Sequence, residues 1–308
     1  MPTQPSRFRR LKRSAFRLGL GLVPLRAKVF VARRLFPNLG RYLPVGRELQ
    51  IDDYLGEFRV IVDPRYPVEI AMLTSRYETD AVTVIDAVVR EGHRCLDIGA
   101  NVGALTLPMA RRVGAAGRVY AFEPGPLAHA RLLRNLALNP SIRDRVVALQ
   151  LGVSNEPGRL HWSPDEHGNP ANATLLGAAG TPVDVVSIDR YFATDPLPRL
   201  DFVKIDVEGM EYEVLLGGRA TWLAHRPIFW LETASCFDAV RGFPASERVE
   251  ALLRGMGYAL YRVETSGRLA AVTASTMATY TLAVPAANET LVNGALLPLG
   301  TVRAERVK

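Results

Sequence analysis

From Phe58 onward the chain alternates short apolar runs with longer stretches in which apolar residues recur every three or four positions. The short runs read as buried strands and the longer stretches as helices laid across them, a pattern that predicts a mostly parallel sheet with helices on both faces. Strands are expected at 58–62, 94–97, 118–123, 146–153, 201–206 and 227–232. One helix is expected through "PVEIAMLTSRYETDAVTVIDAVVREG", where Gly92 supplies the stop. Others are expected at 103–113, at 126–138 and between the last two strands. Further on, "YALYRVETSGRLAAVT" reads as a hairpin turning at Ser266 and Gly267, followed by the apolar strand "YTLAVP". Residues 154–200 interrupt the alternation with Gly, Pro and Asn and are read as a loop-rich insert forming a substrate rim. A single α/β domain is therefore expected over 51–308, preceded by an arm at 1–50.

The arm has its own texture. Phe8, Leu11, Ala15, Leu18, Leu22, Leu25 and Val29 recur at helical spacing, and Gly19, Gly21 and Pro24 divide the stripe into two short helices. It holds 12 of the 38 Lys and Arg residues and a single acid, Glu48, so the net charge of +7 is local and the remainder is mildly acidic. Two readings stay open: an arm packed on its own domain, or a segment whose apolar stripe enters an anionic membrane surface. Nucleic acid ranks below both. The apolar run at 18–25 is too short to span a bilayer, and no convincing small-residue cleavage site follows it, which leaves export as a minor alternative. At 308 residues and 48% hydrophobic content the chain is able to build a core. Cys95 and Cys236 form neither a disulfide framework nor a zinc spacing. A cytoplasmic location fits this composition, with peripheral contact at the inner membrane face as its extension.

Candidate chemistry begins with "CLDIGANVGALTLPMA", residues 95–110. Ligands of open α/β sheets bind beyond the carboxyl ends of strands, and Asp97 ends the first central one. Gly99 and Gly103 permit a sharp turn and close backbone approach, and Asn101 tolerates left-handed backbone while offering polar atoms. Dinucleotide folds use GxGxxG to admit a pyrophosphate, but the spacing here is GxxxG and Asp97 would repel that phosphate. A carboxylate suits a cationic, phosphate-free ligand such as S-adenosylmethionine. Twenty residues after Gly103, Glu123 ends "RVYAFE", where it can accept hydrogen bonds from a ribose diol. Two acids in this order favour methyl transfer over hydride transfer.

Together with "VYAFEPGP", "NLALN", "GVSNEPG" and above all "VKIDVEGMEYEVLLGG", the segment resembles the ordered motifs of FkbM-type S-adenosylmethionine-dependent methyltransferases over about residues 78–285. The resemblance implies the class I methyltransferase fold, a Rossmann-like seven-stranded sheet of order 3-2-1-4-5-7-6, and O-methylation of a hydroxyl on a sugar, glycan or glycosylated natural product. Carried over, Asp97, Gly99, Asn101 and Gly103 line the methionine end of the cofactor, Glu78 meets its amino acid end and Glu123 its ribose. Ser154 and Asn155 fall at the adenine, with Asn155 standing where the family commonly has Asp.

Phe202, Lys204 and Asp206 share one face of a strand, and a buried Lys204 needs a carboxylate partner. Asp206 and Glu208 leave that strand beside the expected methyl donor. An alcohol loses a proton as it attacks a methyl group, so either acid is a candidate base, with cofactor or sugar binding as the competing role. Glu211 opens the next helix, where an acid also suits the helix dipole. Glu232 ends "PIFWLE" at the same edge and is a candidate partner of Lys204 or substrate contact. His161 and His167 lie in the insert with Trp162, Asn169 and Asn172, a set suited to holding a sugar. The five histidines form no HxH or HExxH pattern, and no metal site is expected. A nucleotide-dependent oxidoreductase and a silent cofactor-binding or membrane-scaffold protein remain the alternatives, and the oligomeric state has no signature.

Overall fold

The computed structural model describes residues 48–73, 77–164, 174–175, 179–233, 238–242, 244–264, 268–272 and 279–288. The expected helical arm, His167, Asn169, Asn172, Cys236 and the turn at Ser266 and Gly267 lie outside these residues. By its contacts the chain divides into two units, residues 1–77 and 78–308. In the first, β1 (Leu49–Tyr54) and β2 (Phe58–Val62) pair antiparallel, with Gly56 at φ 82° in the turn, and α1 (Pro67–Leu73) follows. Glu69 accepts the Asp63 N–H at 2.6 Å, tying the end of β2 to that helix.

The second unit opens with α2 (Thr79–Val88), β3 (Arg94–Ile98), α3 (Thr106–Arg112), β4 (Arg118–Phe122), α4 (Pro126–Ala137), α5 (Pro140–Arg143) and β5 (Val146–Leu149). The short strands β6 (Gly152–Val153), β7 (Gly158–Trp162) and β8 (Thr181–Val186) come next, then α6 (Ile188–Tyr191) and β9 (Phe202–Ile205). The chain continues through α7 (Glu211–Gly217), α8 (Arg219–His225), β10 (Ile228–Glu232), α9 (Asp238–Arg241) and α10 (Ala245–Gly255). It closes with β11 (Tyr258–Val263), β12 (Leu269–Ala271) and β13 (Tyr280–Pro285).

The main sheet runs β12-β11-β13-β10-β9-β3-β4-β5. Numbered by occurrence, its seven principal strands follow 3-2-1-4-5-7-6, the class I methyltransferase order, and β12 adds an antiparallel eighth at the edge. The pairs from β5 to β10 are parallel, and β13 enters antiparallel between β10 and β11. The expected hairpin is β11 and β12.

Three expectations are corrected. The helix expected over 67–92 is two, α1 and α2, because Glu78 holds left-handed backbone (φ 36°) at the start of α2. Apolar spacing runs across such a residue without registering it. The strand expected at 146–153 splits into β5 and β6, which belong to different sheets. The rim at 154–200 contains β7 and β8, which join β6 in a second, three-stranded sheet. Their partly exposed, mixed composition hid the strands behind the Gly and Pro of their connections.

Leu96, Ile98, Val203, Ile205, Phe229 and Leu231 fill the core on one face of the main sheet. Trp222 is buried there edge-to-face against Phe229, with ring centroids 5.3 Å apart, and its indole N–H donates to the Leu215 carbonyl. Burying side chains of this size drives the folding of the unit. Among the described residues no helix is long and apolar enough to cross a membrane.

Candidate active site

The face opposite that core is polar at its carboxyl edge. Asp97, Lys204 and Trp230 stand side by side across β3, β9 and β10, and Glu232 pairs with Tyr280 across β10 and β13. Strand alternation puts all five on one face. Lys204 is 3% exposed and donates to the Gly99 carbonyl at 2.6 Å. Its ammonium lies 3.5 Å from Asp97 Oδ1 and 3.8 Å from Asp206 Oδ2. Burial alone would lower its pKa, but Asp206, Asp97, Glu78 and Glu123 outweigh that penalty and hold it above its ordinary value. Lys204, a candidate substrate contact from the sequence, is held by the protein's own acids and by the glycine turn.

Asp97 is fully buried. Oδ2 accepts from the Thr106 hydroxyl at 2.5 Å, and Oδ1 has no hydrogen-bond partner among the described residues. Glu123, also buried, accepts the Asn101 N–H at 2.8 Å and the Gly125 N–H at 2.7 Å. Burial pushes its pKa up to about 7, against the pull of those two N–H groups and Lys204. Gly99 has φ 79°, and a Cβ there would lie 1.8 Å from the Asp206 carbonyl oxygen. Only glycine therefore lets the exits of β3 and β9 touch backbone to backbone. Asn101 itself holds φ 49°.

Beyond β9 the chain turns sharply, with Glu208 at φ 54° and Gly209 at φ 100°. Glu211 steadies this turn by accepting the Val207 and Gly209 N–H groups at 3.1 and 3.3 Å. Asp206, Glu208 and Glu232 each bring a carboxylate oxygen to within 4.8 Å of the other two. The pKa of Glu232 is driven up by burial and then by the charge of Asp206. Glu78, Asn101 and Glu208 are three of the five described non-glycine residues with positive φ. Strained backbone of this kind costs about 1–3 kcal/mol per residue and gathers at functional sites.

The remaining candidates fall elsewhere. Ser154 follows β6 in the small sheet; its N–H donates to Val186 and its hydroxyl lies 3.2 Å from Asn155 Oδ1. Asn155 is exposed, as is His161 on β7, opposite Pro182. Trp162, on the other face of β7, lies over Gly125, where a Cβ would be 2.9 Å from the indole ring. Gly103 (φ 90°) packs near Leu132 at the entrance to α3. Tyr280 is the residue that sequence reading missed: its hydroxyl is 3.3 Å from Glu78 Oε1 and 3.3 Å from Asp206 Oδ2. An apolar strand ending in "YTLAVP" carries no local signal of that role. Thr106 was likewise hidden inside a helix.

Such an edge can seat a cation or hydroxyls against buried carboxylates, with glycine turns admitting the ligand close to the backbone. Asp97 Oδ1, which accepts no hydrogen bond from the described residues, and the cradle at Gly99 fit a phosphate-free cofactor that brings its own donors.

Comparison with known proteins adds to this. A family model described as the methyltransferase FkbM domain matches residues 97–260. Methyltransferase sdnD of Sordaria araneosa is 33% identical over 157 residues, which cover 40% of this chain and 59% of that protein. Hexuronic acid methyltransferase AglP of Haloferax volcanii is 27% identical over 142 residues, covering 46% of this chain and 56% of its own. The 2-O-methyltransferase NoeI of Sinorhizobium fredii is 24% identical over 255 residues, covering 70% and 98%. The chain spans less than two thirds of the length of the first two relatives.

Proposed function

The chain belongs to the methyltransferase FkbM family, and from that premise we propose that it is an S-adenosylmethionine-dependent O-methyltransferase acting on a hydroxyl of a sugar, glycan or glycosylated natural product. The observation that carries this reading is the pair of buried acids, Asp97 and Glu123, on either side of the glycine turn. Relatives named for hexuronic acid methylation and for 2-O-methylation support a sugar hydroxyl as acceptor. A nucleotide-dependent oxidoreductase is disfavoured by the family and by Asp97, which stands where a pyrophosphate would approach.

When bound, the cofactor supplies an electrophilic methyl group on a sulfonium. Asp97, with Gly99, Asn101 and Gly103, holds the methionine end, and Glu78 takes the ammonium. Glu123 accepts from the ribose hydroxyls, and Ser154 and Asn155 lie toward the adenine. Asp206 or Glu208 takes the acceptor's proton on a carboxylate oxygen, since both leave β9 at the same edge. Lys204 neutralises Asp97 and Asp206. Glu232, His161 and His167 are the candidate contacts to the acceptor. The basic arm at 1–50 gives peripheral contact with an anionic membrane surface from the cytoplasmic side.

Calorimetric titration with S-adenosylmethionine, S-adenosylhomocysteine and NAD(P)H tests the assignment. Binding is expected for the first two, and Asp97→Ala should weaken it by roughly 10- to 150-fold, the equivalent of about 1.5–3 kcal/mol for a lost charged hydrogen bond. Preference for NAD(P)H, or unchanged affinity in a folded Asp97→Ala variant, would overturn it. A glycan and metabolite screen then identifies the acceptor.

A further inference from the structure

We infer that Tyr280 is a positioning residue that couples Glu78, at the cofactor's amino acid end, to Asp206, a candidate proton acceptor. The inference rests on the cofactor reading above. A phenol carries one proton, yet its oxygen stands 3.3 Å from a carboxylate oxygen on each side. A hydroxyl committed to a single carboxylate sits at about 2.5–2.7 Å, so at 3.3 Å from each the one proton is committed to neither and within reach of both.

The ring is held from below. Tyr280 stacks on Trp230 with centroids 5.5 Å apart and planes 3° from parallel, and Trp230 is 3% exposed. Strand pairing sets Tyr280 opposite Glu232, and the hydroxyls of Thr233 and Thr281, 2.9 Å apart, fasten the next position of the same strand pair. Glu78 is fixed from its own side by left-handed backbone at the start of α2. Burial, reinforced by the charges of Asp206 and Glu78, raises the phenol pKa well above its ordinary value, so the proton stays on Tyr280.

The consequence is coupling. With the hydroxyl between them, the two carboxylates are held apart and aimed. An ammonium bound at Glu78 would bring its own donors, and the Tyr280 hydroxyl, keeping its proton, would then direct its hydrogen bond to Asp206 alone. By linkage, a ligand bound at Glu78 and proton uptake at Asp206 change each other's affinity by the same factor.

The test compares S-adenosylhomocysteine with 5′-methylthioadenosine, which has the adenosine and thioether but no amino acid end. In calorimetric titrations Tyr280→Phe keeps the stacked ring and should bind S-adenosylhomocysteine about tenfold more weakly, with 5′-methylthioadenosine unchanged. General damage to the site would weaken both ligands. Glu78→Gln should give the same split, and the double variant should lose no more than the larger single loss. Equal losses for both ligands, unchanged or tighter S-adenosylhomocysteine binding, or additive losses would overturn the inference. Should Tyr280→Phe fail to fold, the cycle of Glu78→Gln with Asp206→Asn replaces it, with non-additivity expected and additivity refuting. A wild-type protein that binds neither ligand would instead refute the cofactor reading itself.

Discussion

Asp206 is held from two sides, by the Lys204 ammonium and the Tyr280 hydroxyl, whereas Glu208 reaches the same edge from strained backbone one turn further on. That difference makes their amide variants informative. Asp206→Asn and Glu208→Gln keep size but cannot take up a proton, and at least one should lower turnover by about 10²–10⁴ while S-adenosylhomocysteine affinity changes far less. The measurement uses an acceptor identified by the screen, with folding checked by circular dichroism. Near-normal turnover in both would move the base to the insert, with His161 and His167 next in line, or leave deprotonation to water. At this scale the acids themselves were legible, because each ends an apolar run and such positions face ligands. The commitment of Lys204 was legible only as a requirement: a buried lysine needs a partner, but the identity of that partner waits on which strands become neighbours.

Among elements, the passage from β9 to α7 shows how a short turn is made rigid. Glu211 is 7% exposed and clamps two backbone N–H groups, and burial pushes its pKa from 4.5 up to about 7 against those bonds. A carboxyl whose folded pKa is raised binds its proton more tightly in the native state. The stability it contributes is full below about pH 4.5 and is lost as pH rises toward about 7. Wild type should therefore lose stability relative to Glu211→Gln across that window, on the order of 1–3 kcal/mol, and keep a constant difference above it. Urea unfolding at pH 5 and pH 7.5 measures this, and a difference that ignores pH would refute the buried titration. Glu211 was read from sequence as a helix-dipole acid, which its place at the start of α7 supports; its hold on Val207 and Gly209 depends on the fold of the turn. Element boundaries failed where backbone, not side-chain period, decided them, as at Glu78 between α1 and α2.

For the whole molecule, the reading of residues 1–50 as a basic arm that precedes the residues proposed to carry the chemistry predicts separable behaviour. Deleting residues 2–40 should leave S-adenosylhomocysteine affinity within about twofold, since the residues proposed to bind it begin at Glu78, and should reduce co-sedimentation with anionic vesicles at low salt. Equal partitioning of both proteins would assign the arm to packing instead. Legible in the sequence alone were the alternation of strands and helices, the glycines and acids at strand ends, and among those acids Asp97 and Glu123. Each of these is written in local spacing, which the periods of 2.0 and 3.6 residues convert directly into faces and ends. Tertiary structure alone decided that β13 would enter antiparallel beside β10, and with it that Tyr280 would stand between Glu78 and Asp206, 202 and 74 residues away. It likewise gathered β6, β7 and β8 into a second sheet. Strand neighbours are chosen by long-range hydrogen-bond register and the burial of whole faces, and no window of the chain contains both partners of such a choice.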